Sequence, residues 1–373
     1  MTSKQLRSLL KIASFFQNIG KKLSESLWKK YVYSIWDRKA MQFTSNLCEI
    51  KKFTAEQKKE IDDYWFQHTG QFLPNTNSHL FYFCATGRFD VRFIPDALYF
   101  TRIDKYYNNW ELARIIDNKT YYDALFPDVA QPKVVLKRVN GIWRTGGGGE
   151  ILEESVNKRL LQLCPTFLKV ANNSEGGKGV FYIDDSVYDE NMIQTLLESI
   201  KGDIIVQEPI MQSAELSRLN PSSVNTIRCL TLLRTDGTAK LYSACLRMGI
   251  GNTKVDNASS GGCVVGIKPD GTLNEYAYTP NGKCFKTHPS SNIVFNDVVI
   301  PNFSLIKNLV LEQAKRFSYF RLVSWDVALD YKNEPVLIEA NLCSGELDFH
   351  QLNNGPLFGE DTEDILEEVF KRD

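Results

Sequence analysis

The sequence lacks any excess of basic charge: 44 Lys and Arg stand against 45 Asp and Glu. Nucleic-acid binders carry a basic stripe or patch, so a general nucleic-acid partner is excluded. No apolar run approaches the roughly 20 residues that cross a bilayer. The N-terminus shows no apolar core followed by a small-residue cleavage site, so no secretory leader is expected. Histidine is scarce, with four in 373 residues, and none sits in an HExxH-type zinc pair. The eight cysteines include no CxxC pair. Reduced, mostly buried thiols in a cytoplasmic chain are therefore expected, in place of disulfides or zinc.

What is present is an ordinary globular composition, 43% hydrophobic and 24% charged, in a chain long enough for two or three packed lobes. Residues 3–40 read as a basic helix. Leu6, Leu9, Leu10, Ala13, Phe16, Leu23 and Leu27 recur at helical spacing, with a break expected near Gly20. Lys4, Arg7, Lys11, Lys21, Lys22, Lys29 and Lys30 face few acids. Two readings stand: a helix docked on its own domain, or a helix that meets a partner or a membrane surface, making the chain membrane-peripheral. A second helix runs from an N-cap at Thr54 to His68, with Gln57 at the capping-box position. Residues 79–125 mix short strands and helices, including Leu80–Cys84 and Trp110–Ile116.

From Val134 the texture becomes β-rich: Val134–Val139, Phe167–Val170, Gly179–Ile183, Ile204–Gln207 and Arg228–Leu233 read as strands, interrupted by helices at Ile151–Leu163 and Glu190–Ile200. A long helix at about Phe303–Ser318, a hairpin and a last helix from Thr362 complete the chain. The pattern is α+β with largely antiparallel sheets and a helical N-terminal part. The expected division is a helical extension over 1–50, an α/β region over 51–130, a smaller lobe over 131–206 and a larger one over 207–373.

The strongest local signal lies in Leu322–Leu342. Two strand-like runs flank Tyr331-Lys332-Asn333-Glu334, and a two-residue turn at Lys332-Asn333 is expected because Asn tolerates positive φ. That register places Asp326 opposite Glu339, with Asn341 on the same face. Like charges facing across a ladder are destabilising. Either both acids face solvent, or a divalent cation neutralises them, and carboxylate and amide oxygens suit Mg²⁺. A second hairpin turns at Asp236-Gly237 and places Arg228 opposite Cys245, with Arg247 diagonal to it. Two arginines on one face suit a phosphate or carboxylate, or else snorkel to solvent.

Three weaker signals accompany them. Ser174-Glu175-Gly176-Gly177-Lys178-Gly179 joins two strands and is either a flap over phosphates or a plain hairpin loop. It is not a Walker loop, because no Ser or Thr follows Lys178. Lys137 stands in an apolar strand, facing either phosphate or solvent. Gln207-Glu208-Pro209-Ile210 ends an apolar strand in a way that could present an edge to adenine. Gly146–Gly149 reads as a flexible loop.

The order of these pieces resembles the ATP-grasp superfamily, and more closely its sugar-transfer associated group. The resembling phrases are Tyr64-Trp65, Asn225-Thr226-Ile227-Arg228, Leu246-Arg247-Met248-Gly249, Asp256-Asn257 with Gly261-Gly262, Trp325-Asp326 and Ile338-Glu339-Ala340-Asn341. They span roughly residues 55–360. The resemblance implies an ATP-grasp fold, two α+β lobes gripping ATP, over the small and large lobes already delimited. It implies that Lys137 and Lys169 contact nucleotide phosphates, with Lys119 and Arg138 as alternatives for the first lysine. Ser174, Gly176, Gly177, Lys178 and Gly179 would form the flap, and Glu208 and Ile210 would hold adenine. Asp326, Glu339 and Asn341 would bind one or two Mg²⁺ ions, or Mn²⁺. Arg228 and Arg247 would stabilise the transferring phosphoryl group or hold the acceptor. Asn225, Asp256, Asn257 and His350 would line the acceptor pocket, His350 as a general base or as a structural histidine.

The implied activity is ADP-forming carboxylate–amine ligation on a small-molecule or saccharide acceptor, in polysaccharide biosynthesis. A kinase acting on a hydroxyl, and a non-catalytic nucleotide-binding subunit of a glycan-assembly complex, are the alternatives. Val170 follows Lys169 where many family members have proline.

Overall fold

The computed structural model describes residues 3–172, 179–251 and 261–370, with side chains described from residue 22 onward. The chain forms two compact units, one running to Asp104 and resuming at Glu363, the other spanning Lys105–Thr362. The flap residues Ser174, Gly176, Gly177 and Lys178, and also Asp256 and Asn257, lie outside the described residues.

The first unit is helical. Helix α1 (Ser3–Ser45) runs 43 residues without the break expected near Gly20. One interior glycine costs about 1 kcal/mol, less than ending a helix and nucleating another. The C-terminal part of α1 is fixed by rings: Trp36 stacks on Phe100 at 5.0 Å and Phe43 meets Phe81 at 5.7 Å. Helix α2 (Ala55–Thr69) opens with the expected capping box. The Thr54 hydroxyl accepts the Gln57 N–H at 3.2 Å, and the Gln57 amide accepts the Thr54 N–H at 3.0 Å.

Helix α3 (Asn77–Thr86) takes up Leu80–Cys84, and among the described residues no strand lies in 79–125. The Phe-Tyr-Phe run favours strand by propensity. Here Phe81 and Tyr82 are buried on a helix, with Tyr82 stacked 4.8 Å from Phe93. Ring packing outweighs the local preference.

The second unit holds two sheets, antiparallel in every pairing. The smaller contains β1 (Val134–Val139), β2 (Ile142–Thr145), β3 (Thr166–Val170), β4 (Val180–Ile183) and β5 (Ile204–Gln207), in the order β2-β1-β5-β3-β4. The helices Val156–Gln162 and Glu190–Ser199 cover one face, burying Leu136, Leu168, Val206, Leu160 and Ile193. The larger contains β6 (Thr226–Leu233), β7 (Ala239–Met248), β8 (Cys263–Ile267), β9 (Leu273–Tyr278), β10 (Cys284–Phe285), β11 (Leu322–Leu329) and β12 (Pro335–Asn341), in the order β10-β9-β8-β7-β6-β11-β12. The helix Phe303–Arg316 packs its Phe303, Ile306 and Val310 with Trp325, Val327 and Leu246 from one face. The helix Asp348–Asn354 lies against β7, β8 and β9.

The two hairpins share a construction that differs from the expected two-residue turns. In β11–β12 the loop closes between Asp330 and Glu334, with Asn333 left-handed at φ 64°, so that Leu329 pairs with Pro335. In β6–β7 it closes between Arg234 and Thr238, with Gly237 at φ 82°, so that Leu233 pairs with Ala239. Each is a type I turn followed by a left-handed residue. Both registers are one residue off the expected one near the turn. A bulge at Ile338, and another at Tyr242, then inserts one residue. Beyond the bulges Asp326 pairs with Glu339 and Arg228 with Cys245. A slip of one residue would turn Glu339 and Arg247 to the opposite face.

None of the eight cysteines forms a disulfide; three are buried and two exposed. Gly146–Gly149 is a hydrogen-bonded turn: Thr145 N–H donates to Gly149 O at 2.8 Å and Gly146 N–H to Val135 O at 3.0 Å. A Cβ on Gly146 would lie 1.9 Å from the Val134 carbonyl oxygen. Gly146→Ala should therefore cost about 1–3 kcal/mol in urea unfolding. An unchanged midpoint would contradict this packing.

Candidate active site

The bulged registers produce a row of residues across the larger sheet. From β8 to β12 it reads Gly266, Cys245, Arg228, Asp326 and Glu339. The neighbouring row on the same face carries Ser243, Leu230, Ser324 and Asn341. Arg247 stands on the other side, opposite Thr226. Helix Asp348–Asn354 sits over this face and brings Phe349 beneath Arg228, ring centroid to guanidinium 5.7 Å.

Asp326 is 4% exposed, Arg228 5% and Arg247 7%. Charges this buried need partners. Arg228 grips Asp326 with two N–H donors: Nε donates to Oδ1, and Nη2 to Oδ2 at 2.7 Å. Arg247 Nη1 donates to the same Oδ2 at 3.3 Å. Burial alone would raise the Asp326 pKa; the two arginines outweigh it and hold the carboxyl below its usual range. Arg228 also faces Glu346, Nη1 to Oε2 3.6 Å, at the exposed rim.

Glu339 is paired with Lys119, Nζ to Oε1 2.7 Å. Burial would lower the Lys119 pKa, but Glu339 outweighs it and raises it. The repulsion expected between Asp326 and Glu339 is thus offset by three protein cations. Asn341 Nδ2 donates to Ser324 O at 3.1 Å.

The smaller sheet contributes the face away from its helices. Lys137 and Lys169 both pair with Ile205, so they flank it in one row. Lys137 Nζ donates to Asp123 Oδ2 at 2.8 Å and Thr120 O at 3.3 Å. The segment from Asn118 to Tyr122 joins the two sheets. Asn118 Nδ2 donates to Asp203 at 2.8 Å and Lys119 N–H to Ala171 O at 3.2 Å, on the small-sheet side. On the large-sheet side the Tyr122 hydroxyl donates to Ala340 O and accepts from Ala340 N–H, both at 3.2 Å.

A family model described as sugar-transfer associated ATP-grasp matches residues 100–365. The chain belongs to that family, and its fold is the ATP-grasp fold. The match coincides closely with the second structural unit, Lys105–Thr362, and Tyr64-Trp65 lies outside it. A comparison with curated protein sequences returned no match. Among solved structures, this ATP-grasp chain is similar to the biotin carboxylase domain of Hydrogenobacter thermophilus 2-oxoglutarate carboxylase, at 14% identity and TM-score 0.41 over 71% of this chain and 47% of that one. It is similar to the D-alanine-D-alanine ligase of Coxiella burnetii at 12% identity and TM-score 0.39, over 70% of this chain and 58% of that one. D-alanyl-alanine synthetase A of Vibrio cholerae gives 13% identity and TM-score 0.40, over 68% of this chain and 64% of that one. The chain spans less than two thirds of each of these structures.

The structure gathers Arg228, Arg247, Asp326, Glu339 and Asn341 on one face, and Lys137 with Lys169 on another. Lys119, an alternative in the sequence, is the lysine at Glu339; its signal was Asn118, whose side chain caps the next turn and fixes where Lys119 emerges. Glu208 pairs with Lys133 at 2.6 Å, Ile210 is half-buried, and Gly179 takes φ 78° while its carbonyl accepts the Val170 N–H. Asn225 is wholly buried, and its Nδ2 donates to Leu216 O and Asn220 O at 2.8 and 3.0 Å, so it braces the chain before β6.

His350 is also wholly buried, its Nδ1 bonded to Ser243 Oγ at 2.7 Å. Burial first, and Arg228 second, push its pKa down to about 3. That environment favours the structural reading over the general base. Between the ordinary 6.5 and about 3 the unfolded chain binds a proton that the folded chain refuses. Stability therefore falls as pH drops through that window, by up to about 1.4 kcal/mol per pH unit. His350→Gln should flatten the slope, read from urea midpoints at several pH values. An unchanged slope would mean that His350 titrates normally.

Proposed function

We propose that the chain is a Mg–ATP-dependent ligase joining a carboxylate to an amine through an acyl phosphate. The observation that carries this reading is the charged row on the larger sheet, where Arg228 and Arg247 converge on Asp326 beside Glu339.

The donor set fits magnesium. Among the described residues no group of three or more His, Cys, Asp or Glu forms a metal cage. Two carboxylates and one amide are a hard-oxygen set that leaves room for phosphate oxygens, the usual Mg²⁺ arrangement. Asp326, Glu339 and Asn341 would hold the ion, which would offset charge on the phosphates.

The remaining work falls to the chain. Lys137 and Lys169 share the face of the smaller sheet away from its helices and would face nucleotide phosphates. Lys119, which pairs with Glu339, is the alternative for the first-lysine place. Glu208 and Ile210 would meet adenine, and the flap would close from Ser174–Gly179. Arg228 is held rigid by Asp326 and by Phe349 beneath it, so its charge is pre-aimed. With Arg247 it would orient the acceptor carboxylate, whose oxygen takes the γ-phosphoryl group as the β–γ bond breaks and ADP leaves. The amine then attacks the acyl carbon, phosphate departs, and the nitrogen loses its proton. Positioning and electrostatics suffice, and no side-chain nucleophile is required.

The family description supports a saccharide acceptor, with Asp256 and Asn257 among its contacts. No helix among the described residues is long and apolar enough to cross a membrane. Leu23, Leu27 and Tyr31 on α1 are 61%, 59% and 63% exposed, which supports a partner or membrane-surface role for that basic helix.

The test is product analysis with ATP, uronic acids and amino acids. Free phosphate together with an amide is expected, and Glu339→Ala should lower kcat/KM on the order of a hundredfold or more. A phosphorylated acceptor without amide would show a kinase instead. No ADP with any acceptor would contradict the catalytic reading.

A further inference from the structure

We propose that Lys119 is a resident counter-ion which holds Glu339 until a divalent cation arrives, so that metal must displace it. This rests on the metal reading above and adds a competition to it. Both proposed carboxylate ligands already stand in ion pairs, but the pairs differ in kind. Asp326 is held by a planar guanidinium through two N–H donors, with Arg247 on the same oxygen. Such a fork is rigid and fixes both oxygens. Glu339 is held through Oε1 by one ammonium at 2.7 Å, a point charge on a four-carbon flexible stem. The exchangeable pair is therefore Glu339 with Lys119.

At Oε1, exchange is required by distance. A magnesium-sized ion bonds a carboxylate oxygen at about 2.1 Å. An ammonium at 2.7 Å from that same oxygen would then sit against a dication at close range, where like charges repel by several kcal/mol. One of them must leave. The Lys119 side chain is only 14% exposed, so its ammonium cannot simply dissolve into solvent on the spot.

The main chain of Lys119 cannot follow the metal. Its N–H is bonded to Ala171 O, at the end of β3, and the preceding Asn118 is bonded to Asp203 beside β5. Lys119 is thus anchored on the smaller sheet while its charge is spent on the larger one. Metal arrival at Glu339 would cut a charged link between the two sheets. Metal binding to the protein alone is accordingly opposed by Lys119.

The test is Mn²⁺ binding to the full chain without nucleotide, followed by the paramagnetic resonance signal of free Mn²⁺. Lys119→Met should tighten Mn²⁺ binding about tenfold, the scale of one lost competing ion pair. Lys119→Arg, which keeps the cation and can fork onto the carboxylate, should bind Mn²⁺ no more tightly than the unaltered chain does. Lys119→Gln replaces the methionine variant if that one does not fold. Unchanged or weaker binding in Lys119→Met, while Glu339→Gln still abolishes binding, would overturn the competition and leave the metal site standing. Mn²⁺ binding that survives Glu339→Gln would remove the metal reading and this inference together.

Discussion

The buried pairing of Arg228 with Asp326 is the constraint around which the second unit is arranged. A carboxylate and a guanidinium at about 5% exposure are tolerable only when their donors and acceptors meet. The pairing requires β6 beside β11 in one register, which the sheet order and the Arg228–Asp326 alignment provide. It requires the apolar side of both strands, with Cys229, Trp325 and Val327, to be covered by the helix Phe303–Arg316. It also needs Phe349 under the guanidinium, which the helix Asp348–Asn354 supplies. A single misalignment would leave a charge unpaired in the core, so this polar row specifies the sheet as firmly as the apolar contacts do.

The bulges at Ile338 and Tyr242 bring Glu339 into that row and Arg247 alongside it. Each adds one residue, on β12 and on β7, and so brings one more charged side chain to the face that carries Arg228 and Asp326. Local twisting of this kind is typical beside active sites. On the other side, Asn118 to Tyr122 ties the smaller sheet to the larger one through both polar and charged contacts. The family match covers both the charged row and the lysine row.

Much of this was legible in the sequence. Strands from Val134 onward announced themselves by short apolar runs between glycine turns, and the capping box at Thr54 by its spacing. The opposition of Asp326 to Glu339 was also anticipated, though for an incomplete reason. The assumed two-residue turns at Lys332-Asn333 and Asp236-Gly237 were one residue out, and the bulges restored the count. Turn type depends on backbone dihedrals at Asn333 and Gly237, and bulges on packing, so neither shows in residue spacing alone. The pairing of Lys119 with Glu339 was hidden for the same reason: it joins residues far apart in sequence, and only the tertiary fold brings them within 2.7 Å. The strand reading of Leu80–Cys84 failed where burial of rings on a helix overrode propensity.

The claim on which the account depends is that the charged row binds nucleotide together with a divalent cation. Calorimetric titration of ATP into the full chain, once with Mg²⁺ and once with chelator, tests it most directly. The account predicts that binding with Mg²⁺ is at least about tenfold tighter than without, a difference of about 1.4 kcal/mol. Equal affinity in the two titrations would contradict it.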